Sequence, residues 1–340
     1  MKPLISIVIV NWDGMRFLPE CLRSIFSQEG ASFEVVLVDN GSRDGSVEYV
    51  KKGFPSVKVI ENCKNLGFAK GNNIGISVAN GRYILTLNND TALEKGFLER
   101  LETVAGASDA GTGMWAVKIL AFDKKTIDSV GGLLIYRDGL AKGRGRLEKD
   151  IGQYDALKEV FIPSACAGLY RRSMLDAIGA FDEDFFAYCE DTDLGLRARL
   201  AGFKTMSVPE AVVYHHYSGT TGRYTPRKAF LVGRNQIWLA LKNLPCAMLP
   251  TLPFYMAWRY AIQAYGVATG KGAGGRFAED FSKARLAAIL LKSYLSAASG
   301  LPSVLKKRRA VQALRKASNS EVACWFRKYG LSASSVALID

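Results

Sequence analysis

Three short runs rich in Asn and Asp follow apolar, β-branched stretches of the chain. Asn11-Trp12-Asp13-Gly14 follows residues 5–10, Asp39-Asn40-Gly41-Ser42 follows 33–38 and continues into Asp44-Gly45-Ser46, and Asn88-Asn89-Asp90 follows 83–87. Turn chemistry explains any one of these, since Asn, Asp and Gly are turn formers. Three on one rim favour a ligand site. Asp90, at the end of a hydrophobic run, offers an oxygen ligand for Mg²⁺ or Mn²⁺. A second cluster, Glu190-Asp191-Thr192-Asp193, sets three carboxylates at an expected helix start. Capping and the helix dipole account for one or two acids there. A carboxylate at the rim of a cleft could equally serve as a general base. The only two histidines, His215 and His216, close another β-branched run, where a packed polar residue and a metal ligand are both open readings.

Elements able to position these groups are legible around them. Strand-like runs at 5–10, 33–38, 57–60, 83–87 and 114–119 alternate with helical patterns such as 17–26 and 46–51. Continuous apolar strands between helices predict a mostly parallel, two-sided sheet, and ligands of such sheets bind outside the carboxyl ends of the strands. Residues 138–152 read as a loop, 160–170 as another strand, and 212–214 as the strand leading into His215. The helix that starts near Glu190 is expected to end at Gly202. Neither GxGxxG nor GxxxxGK[ST] occurs, and the glycine-rich 67–73 matches neither phosphate cradle. Dinucleotide-binding and P-loop enzymes are thereby disfavoured, and any bound phosphates would be met through a divalent metal.

The six cysteines form no CxxC pair and no zinc spacing, as expected of thiols in a reducing compartment. The run at 4–10 reads as a buried strand rather than a signal peptide. Charge is divided sharply. Residues 1–220 carry 26 basic and 28 acidic side chains, whereas 221–340 carry 19 basic against 4 acidic, so the whole excess of the +13 chain lies in its last third. A polyanionic partner is expected there, either nucleic acid or an anionic membrane surface.

Read together, the runs at 6–12, 38–46, 65–69, 87–91, 179–183 and 190–197, with Val213-Tyr214-His215, resemble the inverting glycosyltransferase family 2. They are most similar to bacterial rhamnosyltransferase-like enzymes of cell-surface polysaccharide assembly. The resemblance implies a GT-A fold: a mostly parallel α/β sheet flanked by helices over residues 1–225, with a basic, amphipathic helical extension over 226–340. It implies a nucleotide-diphosphate sugar donor and a divalent metal, Mg²⁺ or Mn²⁺. By position, Val10, Asn11 and Asp39 would hold base and ribose, and Asn65 and Gly67 would line the donor pocket. Asn88-Asn89-Asp90 stands where the family has DxD, departing from it at Asn88 and keeping Asp90 for the metal. Asp191, beside Glu190, matches the acid that deprotonates the acceptor hydroxyl. His215 matches a His facing metal or diphosphate. The implied reaction is an inverting transfer to a glycan or lipid-linked acceptor.

In the last third, Pro253 suits the first turn of a helix over 254–269, apolar except for Arg259 and Gln263, which share one face. A helix lying in a membrane interface is expected rather than one that crosses, because Arg is costly at mid-span. Residues 281–295 form a second amphipathic candidate, and Lys306-Lys307-Arg308-Arg309 a polybasic run suited to anionic lipid. These features predict a cytoplasmic protein peripheral to the inner face of the plasma membrane. A helical subdomain packed on the catalytic domain is the other reading. The competing function classes are a nucleic-acid binder, which lacks a recognisable motif, a catalytically silent sugar-nucleotide binder, suggested by Asn88, and, on fold grounds alone, a nucleotidyltransferase.

Overall fold

In this computed structural model, which describes residues 3–216 and 224–339, the chain divides into two compact units. The first comprises Met1–Leu133, Gly143–Ala198 and Phe203–Thr220, and the second Leu134–Lys142, Arg199–Gly202 and Thr221–Asp340. The division between units at Thr220 and Thr221, beside the boundary expected at 225, falls within residues 217–223, outside the described residues.

Strand β1 (Ile5–Asn11) opens the first unit, followed by α1 (Leu18–Phe26), β2 (Phe33–Asp39), α2 (Ser46–Gly53), β3 (Lys58–Glu61), α3 (Phe68–Val78) and β4 (Tyr83–Asn88). β1 pairs in parallel with β2 and β4, and β2 with β3. The continuous apolar run of β1 is buried on both faces, as a two-sided parallel sheet requires. Ile7 and Ile9 pack with Leu18, Leu22 and Ile25 of α1 on one face, and Val8 packs with Ala69 and Ile76 of α3 on the other. Glycine lets α3 approach so closely: a Cβ at Gly75 would stand 2.4 Å from Val8.

The chain continues through β5 (Thr91–Leu93), α4 (Phe97–Ala107), β6 (Thr112–Ala121), β7 (Ile127–Ser129), β8 (Leu133–Ile135), β9 (Ala141–Gly143), β10 (Glu159–Val160), β11 (Ala167–Arg171), α5 (Arg172–Ile178), α6 (Glu190–Leu200) and β12 (Lys204–His215). The sheet order is β10-β12-β6-β11-β4-β1-β2-β3, with β5 on β12 and β7 on β6, while β8 and β9 pair apart. β12 runs parallel to β6, and β11 is antiparallel to both β4 and β6. This is the mostly parallel α/β sheet that the sequence predicts. Two elements differ in extent. The run at 160–170 is interrupted between Val160 and Ala167, and the short run at 212–214 is the end of a 12-residue strand. Gly202, at φ +93°, closes α6 by donating its N–H to Arg199 O at 3.0 Å.

The second unit is helical, with α7 (Pro226–Asn243), α8 (Leu252–Thr269), α9 (Gly272–Asp280), α10 (Lys283–Ser299), α11 (Leu301–Ala313), α12 (Asn319–Lys328) and α13 (Ala333–Leu338). Thr225, Ser282, Ser318 and Ser332 accept backbone N–H groups at four of the helix starts, and Ser318 with Glu321 completes a capping box. Pro253 occupies the first turn of α8, as expected. Arg259 and Gln263 do share one face, and it is the inward one. The Arg259 Nε donates to Asp138 Oδ2 at 2.6 Å, and its terminal nitrogens donate to Gln236 and Gln263.

Candidate active site

The strand ends of β1, β2 and β4 meet at Asn11, which is fully buried. Its Nδ2 lies within donating distance of Asp39 Oδ1 (3.0 Å), Ser42 Oγ (3.1 Å) and Ser46 Oγ (2.9 Å), and its Oδ1 accepts from Asn89 Nδ2 at 2.8 Å. Asp39 also accepts the backbone N–H groups of Gly41 and Ser42. A buried polar group is tolerable only when it is bonded in this way. The turn after β1 passes tightly over the pair, since a Cβ at Gly14 would stand 2.1 Å from Asn89 Nδ2. Asp44 stitches the same rim by accepting from Met15 N and Ser46 N. These bonds outweigh its partial burial and hold its carboxyl below the usual range. Asn40 donates to Gly67 O at 3.1 Å, and Asn65 Oδ1 accepts Gly67 N at 2.9 Å, which brings the loop before α3 to the rim. Val10 is half-buried with its methyl groups against Gly71 of α3, so its side chain faces the helix.

Beyond β4, Asp90 is nearly buried, and its Oδ1 lies 3.3 Å from His215 Nε2 at the end of β12. The pairing of Thr91 with His215 between β5 and β12 fixes this approach. On the far side of the ring, His215 Nδ1 lies 2.7 Å from Asp128 Oδ2 on β7, and Asp128 is also paired with Arg146. Burial works against charge on the ring. Cys166, Asp128 and Asp90 work for it and prevail, holding the His215 pKa well above its usual range. Burial would raise the Asp128 carboxyl, but His215 and Arg146 hold it below the ordinary range. His216 is separate, its ring stacked 3.5 Å from Phe122.

The acids at the start of α6 divide by role. Asp193 is fully buried and accepts Arg197 Nε at 2.9 Å, while the rest of that guanidinium donates to the carbonyls of Ile178, Gly179 and Ala180. This pair fastens α6 to the turn before it. Asp191 Oδ1 accepts Thr192 N at 2.7 Å and Thr192 Oγ1 at 3.2 Å, and its Oδ2 accepts Ala165 N at 3.3 Å. Glu190 is buried, and its Oε2 has no hydrogen-bond partner among the described residues. Burial drives the Glu190 pKa well above the carboxylate range, with Asp191 adding to the rise. Burial also raises Asp191, against the hydrogen bonds from Ala165 and Thr192. Two adjacent carboxylates, one buried and one half-buried, do not both ionise readily. The bonded Asp191 is the better home for the charge, and Glu190 for the proton.

The interruption between β10 and β11 joins the two centres. Ala165 N donates to Asp191, and the O of the next residue, Cys166, accepts Asn88 N at 2.9 Å. The aromatic run before α6 is conformationally strained: Phe186, Tyr188 and Cys189 have φ of 64°, 70° and 68°. Non-glycine residues hold such angles only where their surroundings over-determine them, commonly at functional sites. Gly67 permits the contact, because a Cβ there would stand 2.6 Å from Phe186 O. Asn11, Asp39, Asn65, Asn89, Asp90, Asp191 and His215 are thus tied to this rim or to the loop beside it, whereas Val10 packs behind it and His216 stands apart. Asp128, Ala165 and Phe186 escape sequence reasoning. Asp128 lies in a short strand with no motif, Ala165 acts through its backbone, and no residue pattern marks the strain at Phe186.

Among the described residues, no group of three or more His, Cys, Asp or Glu could hold a metal alone. Asp90 and His215 do fit as a two-ligand half-site. Ligands about 2.1 Å from one ion and at right angles to each other stand about 3 Å apart, close to the 3.3 Å observed. A cavity of about 460 Å³ lined by Leu4, Arg82, Tyr83 and Glu99 lies at the other ends of β1 and β4, away from these groups.

A mostly parallel sheet that delivers Asn, Asp and His to one rim, beside a buried acid pair, defines a nucleotide-sugar transferase of GT-A fold. Residues 6–179 match the model of glycosyl transferase family 2, and the chain belongs to that family. Residues 140–299 match glycosyl transferase family group 2. An N-acetylglucosaminyl-diphospho-decaprenol L-rhamnosyltransferase of Mycobacterium tuberculosis is 26% identical over 66% of this chain and 79% of its own length. An uncharacterised protein of Sinorhizobium fredii is 28% identical over 66% of this chain, which spans only 26% of that protein. Among solved structures, S. aureus TarS 1-349 with UDP-GlcNAc has a TM-score of 0.54 at 17% identity, covering 92% of this chain and 91% of its own. GalNAc-T7 with UDP, GalNAc and Mn²⁺ also has a TM-score of 0.54 at 17% identity, over 71% of this chain and 48% of its own. At such identity these structures share the fold.

Proposed function

We propose that this glycosyltransferase moves a sugar, of which rhamnose is the leading candidate, from a nucleotide diphosphate to a glycan or lipid-linked acceptor. The transfer inverts the anomeric centre and serves cell-surface polysaccharide synthesis. The Asn11–Asp39 rim, with Asn65, Gly67, Asn88 and Asn89, binds the donor. Asp90 and His215 would hold a Mg²⁺ or Mn²⁺, which would supply charge stabilisation for the departing diphosphate. Asp128 keeps the His215 ring turned so that Nε2 faces Asp90, as carboxylates behind metal-ligating imidazoles do. Asp191 takes the proton from the acceptor hydroxyl as its oxygen attacks the anomeric carbon and the bond to the diphosphate breaks. Glu190 stays protonated beside it.

The observation that carries this reading is the attachment of Asn88 and Asp191 to neighbouring residues, Cys166 and Ala165. It ties the end of β4 and an acid of α6 to successive residues of one short loop, in support of this reading. The deciding experiment is turnover with UDP-, dTDP- and GDP-sugars in the presence of Mn²⁺ or Mg²⁺. Metal-dependent transfer or donor hydrolysis supports the reading. Binding of a donor without either outcome would make the chain a silent sugar-nucleotide binder.

A further inference from the structure

Helix α8 carries an exposed apolar face. Tyr255, Arg259, Ile262 and Gly266 recur at four, three and four residues and face inward. Tyr255 and Ile262 pack on the cluster of Tyr136, Ala333 and Val336, while Arg259 and Gly266 are buried. About a quarter-turn round the helix, Phe254, Trp258 and Tyr265 are 68%, 56% and 55% exposed, and Ala257, Ala261 and Ala264 continue the exposed face. Residues 254–268 rise along about 21 Å of helix. Arg259 is the only charge in α8, and it is turned inward to Asp138. The inward pairing therefore leaves α8 itself contributing no charge to that face, and Arg137, which lines the groove beside Phe254 and Trp258, is a cation next to it. A water-facing helix ordinarily has the reverse arrangement.

We infer that this face docks on the interface of an anionic lipid bilayer, with Phe254, Trp258 and Tyr265 inserted at the level of the headgroups. Among the described residues no single helix is long and apolar enough to cross a membrane. Large aromatics spaced along one helix face suit the boundary between headgroups and acyl chains. Charge selects lipid over a second copy of this chain. The segment 221–340 holds 19 basic and 4 acidic side chains, so two such surfaces repel each other and an anionic leaflet attracts either one. The basic run is also fastened near α8. Arg308 of α11 donates to the carbonyls of Leu241 and Leu244 and to Cys246 Sγ, and Cys246 begins the turn that feeds α8. Lys306 and Arg309 of the same run are exposed.

Flotation of the full chain with phosphatidylcholine vesicles, with and without phosphatidylserine, tests this apart from any turnover. The wild-type protein floats with the anionic vesicles at low salt. Combined Phe254→Ala, Trp258→Ala and Tyr265→Ala substitutions lower the partition by at least ~10-fold, as loss of inserted aromatic area requires. These side chains are exposed, so the variant keeps the wild-type melting curve. Lys306→Glu with Arg309→Glu weakens binding mainly at low salt. Trp258→Phe keeps binding, which separates lost apolar area from a damaged fold. An aromatic variant that floats as well as wild type overturns the proposal, as does a wild-type protein that stays soluble. A vesicle-independent dimer that dissociates in the aromatic variant would assign the face to self-association instead.

Discussion

The two acidic centres of the first unit are built in opposite ways. At the end of β4, Asp90 faces a histidine that carries a second carboxylate, Asp128, and an arginine, Arg146, behind it. At the start of α6, Glu190 is buried and Asp191 half-buried, and the bonded partners of Asp191 are backbone N–H groups and a threonine hydroxyl. The first centre gathers two carboxylates about one imidazole, a donor set that would take a cation once His215 Nε2 has lost its proton. The second crowds two acids together without a cation and raises their proton affinity, which suits a base that must accept a proton. Burial alone does not make a carboxylate basic; the identity of the group facing it decides.

The largest expected effect is at the second centre. Asp191→Asn keeps the shape and the Thr192 contact but cannot take the proton, so turnover falls at least ~10²-fold with donor affinity unchanged. Near-normal turnover in this variant, with loss in Glu190→Gln, would exchange the two roles. The wild-type rate should fall with decreasing pH at a pH above the ordinary carboxylate range, because burial raises the Asp191 pKa and protonation removes the base. A rate that stays flat down to the ordinary carboxylate range of about 4 would contradict the buried-base assignment.

A smaller effect is expected behind the first centre. Asp128→Asn removes the charge that orients His215 and should weaken Mn²⁺-dependent nucleotide binding by about 10–100-fold, leaving metal-free binding alone. Equal loss with and without metal would reduce Asp128 to a structural role. The mildest change is Glu190→Gln. The folded-state pKa of Glu190 is raised by burial, so its charged form costs stability, and that cost is absent below the unfolded pKa of about 4.3 and grows as pH rises. The variant should melt above wild type by a margin that widens from acid to neutral pH. A margin that shrinks over that range would reverse the assignment of the proton to Glu190.

How much of this was legible beforehand varied with the kind of signal. Ile5 to Val10 read as a buried strand because a run of that composition suits little else, and the polar ends of β1, β2 and β4 fell on one rim because parallel strands must end together. The acids at 190–193 were visible as a cluster but not separable, since sequence cannot tell that Asp193 bonds Arg197 while Asp191 bonds Ala165. Asp128 was invisible because its role depends on β7 pairing with β6, which brings it beside a histidine 87 positions away. In the second unit the pairing of Arg259 with Gln263 followed from helical spacing, but which way the face turned depended on Asp138, far off in sequence.

The contrast between a cation-holding centre and a proton-accepting one is tested most directly by calorimetry of nucleoside diphosphate binding with and without Mn²⁺, comparing Asp90→Ala with Asp191→Asn. The increment in affinity due to Mn²⁺ should vanish in Asp90→Ala and persist in full in Asp191→Asn. Persistence of that increment in Asp90→Ala, or its loss in Asp191→Asn, would contradict the division of labour between the two centres.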